Sequence, residues 1–145
     1  MHRERIVSGI TAGLIPAAAT TGMLWGYGVR LGAPGRVFQT IGTIVLHSRG
    51  TASGGLRYVF LGLLVHVVAM LSFGVVYAGL IGDSGEHRTA WAIATAAAAL
   101  AAVFVSAHTF AGSITLVLTP ESLITMGVVI AITLPIGMRF APSDV

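Results

Sequence analysis

Apolar residues along this chain fall into four long runs, at 6–29, 58–81, 89–111 and 120–138, separated by more polar breaks. A helix needs roughly 20 mostly apolar residues to cross the hydrocarbon core of a bilayer. Each run is of that order, so the pattern predicts an all-α integral membrane protein, a four-helix bundle forming one transmembrane domain. A fifth, shorter periodic segment lies between the first two runs. Over about 36–49, Val37, Phe38, Ile41, Ile44 and Val45 fall on one side of a helical wheel, with Gln39, Thr40, Thr43 and His47 opposite. At a helical rise of about 1.5 Å per residue it reaches only about 20 Å, too short to span. We read it as an amphipathic helix in the membrane interface, with Arg36 and Arg49 near the headgroups. A re-entrant segment or a docking surface for another subunit is the alternative.

The breaks carry recognisable boundaries. Gly82-Asp83-Ser84-Gly85 is a turn signal that makes the second and third spans an antiparallel hairpin. Thr119-Pro120-Glu121 supplies a hydroxyl cap, a proline at the first helical position and an acid at the positive end of the helix dipole. That arrangement explains Glu121 as a capping residue and not a catalytic one. At the start, Arg3, Arg5 and Ala17-Ala18-Ala19 imitate a secretory signal, but the apolar run continues through Met23-Leu24-Trp25 and is read as a span. Four spans return both termini to one side. Four arginines then fall on each side, so the positive-inside rule assigns no orientation.

Composition strengthens the membrane reading: 55% of residues are hydrophobic and 9% charged, with a mean hydropathy of +0.91. So little polar surface does not clothe a soluble globule. All eight basic residues are arginine, so the basic balance is weak ground for a nucleic-acid partner. The absence of cysteine removes thiolate metal ligation and cysteine nucleophilic catalysis. No HExxH-type pair is present, so no metal site is expected. Glu4, Asp83, Glu86, Glu121 and Asp144 all lie outside the spans or at their ends. Proton-coupled transporters commonly place acids inside their spans. The small multidrug exporters, of comparable size, depend on a glutamate in the first helix, and this first helix has none.

Small residues are the other recurrent feature. Gly9 and Gly13, and Gly22 and Gly26, form GxxxG pairs on the first span, a spacing that lets helix backbones approach closely. Ordinary packing within the chain is the reading preferred over a dimer motif. In the third span Ala90, Ala94, Ala98 and Ala102 recur every fourth residue, widened by Ala97 and Ala101. This stripe points to a central position or a protein partner, or else to alanine's high helix propensity alone.

Candidate cofactor chemistry rests on His66 and His108, since a polar residue within a span is a functional hypothesis by default. Folding the hairpin near Gly85 offsets the two by about 7 Å in depth, which disfavours one haem shared between them. A single histidine holding a bacteriochlorophyll-type pigment or a five-coordinate haem, or lying near a quinone, stays open. So does a structural imidazole bonded to a neighbouring helix.

Four spans with an in-plane segment after the first resemble small bacterial membrane proteins, among them accessory subunits of photosynthetic or respiratory complexes. The resemblance is one of architecture. It implies a non-catalytic, multi-pass subunit of the inner (cytoplasmic) membrane whose partners are other membrane subunits and lipids, with no soluble substrate. The first host expected is a photosynthetic reaction-centre or light-harvesting assembly. A tetrapyrrole- or quinone-binding anchor for electron transport, centred on His66, is the alternative, and a small channel or transporter the third reading.

Overall fold

The computed structural model of the chain describes residues 2–46, 55–82, 87–109 and 119–141, without the side chains of His2, Arg3, Ala107 and His108. Among these residues the chain forms five helices and no strand: α1 (His2–Arg30), α2 (Arg36–Val45), α3 (Leu56–Ile81), α4 (Arg88–Thr109) and α5 (Pro120–Arg139). Helices α1, α3, α4 and α5 are each long and apolar enough to cross a membrane. The chain is a multi-pass helical membrane protein. Residues 110–111 of the third apolar run and 47–49 of the amphipathic segment lie outside the described residues.

Local chemistry sets the helix ends. Gly32 and Gly35 both take positive φ, 69° and 78°, where a side chain would be strained. Between them the chain reverses, and the Ala33 amide donates to the Gly28 carbonyl at 2.9 Å. At the start of α5 the Thr119 hydroxyl accepts from the Ser122 amide at 3.3 Å, with Pro120 beginning the helix. The Tyr27 hydroxyl lies 3.1 Å from the same Thr119 oxygen and ties the end of α1 to the start of α5. Across the α3–α4 connection the buried Tyr77 hydroxyl donates to the Arg88 carbonyl at 3.3 Å.

α1 runs antiparallel along α3 and also packs on α5, while α4 packs on α5 and, less extensively, on α3. The closest approaches are made by glycine. A Cβ added to Gly13 would stand 2.7 Å from the Leu71 Cα, and one added to Gly74 would overlap the Gly9 carbonyl oxygen. Gly137 of α5 lies against Ala12 of α1, where a Cβ would come within 2.5 Å of the Ala12 carbonyl oxygen. Pro16, four residues on, has no N–H to offer that carbonyl. Gly137 instead brings its backbone against that carbonyl, an approach a side chain would block.

Two aromatic groups bracket the apolar length. Trp25, Tyr27 and Tyr58 lie at one end of the molecule, and Tyr77, Trp91 and Phe140 at the other. Tyr58 and Tyr77, on the same helix, are about 28 Å apart along its axis, close to the roughly 30 Å of a hydrocarbon core. Aromatic rings of this kind anchor spans at the two interfaces.

The glycine contacts predict a sharp contrast. Gly13→Val and Gly74→Val should each destabilise the protein by about 1–3 kcal/mol, the usual result of overpacking. Gly22→Ala, at a position where an added Cβ meets nothing within 4 Å, should be neutral or stabilising. Denaturation in detergent, followed by helical circular dichroism, measures both; equal losses would contradict these packing assignments.

Candidate functional site

Six of the eight residues buried along α3 recur at intervals of four: Tyr58, Gly62, His66, Met70, Gly74 and Ala78. His66 stands in this stripe about 12 Å along the helix from Tyr58 and about 16 Å from Tyr77, close to the middle of the bilayer. It is only 8% exposed. An imidazole left without a partner at that depth is costly, because hydrocarbon supplies no hydrogen bond.

Thr20 of α1 supplies the partner: its Oγ1 lies 2.8 Å from His66 Nε2. Thr20 is fully buried, and the same hydroxyl donates to the Pro16 carbonyl at 2.6 Å. A hydroxyl has one proton. With that proton directed to Pro16, Oγ1 presents lone pairs to the ring, so Nε2–H is the donor between the two helices. Five other hydroxyls in the spans are satisfied within their own helix: Thr11, Ser72, Thr95, Thr125 and Thr133 each donate to the carbonyl four residues earlier, whereas the buried Thr21 Oγ1 has no partner among the described residues.

α2 closes the site. It packs on α3 through facing glycines: a Cβ on Gly42 would overlap the Tyr58 carbonyl, and one on Gly62 would overlap the Phe38 carbonyl. This brings the fully buried Phe38 ring edge-on to His66, with centroids 5.8 Å apart. Trp25 stands on the other side of Phe38 at 6.4 Å. Trp25, Phe38, His66 and Thr20 thus join α1, α2 and α3 at one point. Of the apolar face anticipated for α2, Val37 and Phe38 are buried in the protein, whereas Val45 is exposed.

Chemically, this junction fastens helices together. Nε2 already faces Thr20 and the ring already meets Phe38, so a tetrapyrrole metal bound at Nε2 would require Thr20 to give up its place. His108 belongs to the last turn of α4, and its side chain is outside the described residues. His47 is outside them as well, and His87 is exposed. Among the described residues no group of three His, Asp or Glu side chains is placed to hold a metal ion.

The small-residue positions separate into two sets. Gly9 and Gly13 are buried in the α1–α3 contact. Gly22 and Gly26 are exposed, and a Cβ on either would meet nothing within 4 Å, so packing among the described residues does not account for this pair. Ala90, Ala94, Ala98 and Ala102 are also exposed; α4 turns Ala92, Thr95, Ala96 and Ala99 inward instead. Gly62 and His66, four residues apart, share one face of α3. Thr20 and Phe38 carried no comparable signal, because a threonine in an apolar run and a phenylalanine on an amphipathic segment are both commonplace. No protein-family model matches this chain, and neither a curated protein nor a solved structure does.

A double-mutant cycle isolates the central hydrogen bond. Thr20→Val and His66→Phe, alone and together, should show a coupling of about 0.6–2 kcal/mol, the range for such bonds between membrane helices. Additive losses would mean the contact contributes nothing to stability.

Proposed function

We propose that this protein is a non-catalytic accessory subunit of a larger membrane assembly, held against its neighbours by the outer face of α4. The observation that supports this reading is the distribution of alanine around that helix. Ala92, Ala96 and Ala99 are buried within the chain. On the opposite side of the helix Ala90, Ala94, Ala97, Ala98, Ala101 and Ala102 are all exposed. The outward sides of the other spans carry bulky residues, such as Leu14, Phe60, Leu64, Val68, Ile124 and Ile132, and α4 itself does so at Ile93, Phe104 and Val105, on either side of the alanine stretch 94–102. Bulky side chains suit lipid tails. A flat strip of methyl groups suits another helix, because association inside lipid is driven by close packing and not by escape from water.

Between Ile93 and Phe104 the outward side of α4 is then small because it meets protein there. The exposed Gly22 and Gly26 of α1 give a second place where a neighbouring backbone fits closely. In this reading the protein resides in the cytoplasmic membrane as part of a four-helix bundle that fills space and fixes neighbouring subunits. His66 holds that bundle together. The first host we place it in is a photosynthetic reaction-centre or light-harvesting assembly, by the architectural resemblance, and the second a respiratory complex.

Replacing Ala94 and Ala98 together with leucine should leave insertion and helicity intact but reduce recovery of the host complex. Quantitative mass spectrometry of proteins co-purifying in mild detergent measures this. Undiminished recovery with the double variant would reject α4 as the docking face.

A further inference from the structure

The antiparallel course of α1 and α3 and the Tyr27–Thr119 contact bring the end of α1, the start of α3 and the start of α5 to one end of the molecule. Arg30, Arg36 and Arg57 are exposed there, beside the aromatic group of Trp25, Tyr27 and Tyr58, with Glu121 as the one acid among the described residues of that end. The sequence adds Arg49 to the α2–α3 connection. In the sequence Arg3 and Arg5 flank Glu4, Arg88 follows Asp83 and Glu86, and Arg139 precedes Asp144. The chain's formal charge of +3 equals the surplus of the four arginines Arg30, Arg36, Arg49 and Arg57 over Glu121.

Helix stability does not account for two of these arginines. Arg36 and Arg57 occupy the first turns of α2 and α3, where the helix dipole favours acids and disfavours cations. Neither turn contains an acid, and the capping residues Gly35 and Gly55 provide no side-chain hydrogen bond. Arg57 lies over the Tyr58 ring, 4.7 Å from its centroid, and one Nη donates to the Tyr58 hydroxyl at 3.0 Å. That contact holds the guanidinium at the aromatic belt, the depth of the headgroups, and uses only one of its five N–H donors.

We propose that this end is a surface for anionic phospholipid headgroups, with Arg30, Arg36 and Arg57 meeting their phosphates. An anion placed there supplies the charge that the first turns of α2 and α3 lack, and it pairs arginines with which no acid among the described residues forms an ion pair. The attraction acts at the interface and adds to the packing role of α4 without depending on it.

The test uses the full-length protein in nanodiscs of phosphatidylcholine mixed with phosphatidylglycerol, with lipids retained after partial delipidation counted by native mass spectrometry. Phosphatidylglycerol should be retained preferentially. That preference should fall by up to about fivefold for each arginine removed in the series R30Q, R30Q/R36Q and R30Q/R36Q/R57Q. R139Q, which removes an arginine from the last turn of α5, where the helix dipole favours a cation, should keep it. The single and double variants alter only exposed side chains, so the series remains readable if the triple variant unfolds. Equal retention of the two lipids by the unmodified protein, or equal loss in R139Q, would overturn the proposal.

Discussion

Inside a bilayer, apolar side chains gain nothing by leaving lipid for one another, so helices associate only where their backbones come close enough for dense packing. In this protein that closeness is made by glycine. Gly9, Gly13 and Gly74 set the α1–α3 distance, Gly42 and Gly62 the α2–α3 distance, and Gly137 the α1–α5 distance. The polar contacts follow from these approaches. Thr20 reaches His66 across a helix pair that Gly13 and Gly74 allow to close, and Phe38 reaches the same ring because Gly62 admits the backbone of α2. A bulky residue at any of these glycines would part the helices before it changed any chemistry.

His66 acquires its role within that frame. A mid-membrane imidazole is either satisfied or a liability, and here a buried threonine satisfies it while an aromatic edge covers it. The arrangement gives α1, α2 and α3 one shared registration point. It also explains why α2, too short to span, is held on the protein along α3. The same economy of partners appears in α1, where Pro16 leaves the Ala12 carbonyl without an amide and Gly137 comes up against it.

Much of the fold was legible in the sequence because the bilayer imposes length and hydropathy on any segment that crosses it. The Thr119-Pro120 start of α5 and the existence of α2 followed from capping chemistry and periodicity. Which small-residue face turns inward was not legible. Gly9/Gly13 and Gly22/Gly26 have the same spacing, yet only the first pair meets another helix, because only it lies opposite Gly74. The stripe from Ala90 to Ala102 and the inward set Ala92, Ala96 and Ala99 are chemically alike. What separates them is the position of α5, including Gly127 against Leu100, which one helix's own pattern does not encode. His66 was visible as a candidate, but its partner lay 46 residues away in an unremarkable apolar run.

The outer face of α4 meets either protein or lipid, and the two are separable by crosslinking. The chain has no cysteine, so a single cysteine at Ala98 can carry a photoactivatable crosslinker, with one at Phe60, on the exposed bulky side of α3, as the reference. Irradiation in native membranes should give a discrete protein adduct from position 98 and predominantly lipid adducts from position 60. Lipid adducts alone from position 98 would contradict the account and leave α4 a simple lipid-facing helix.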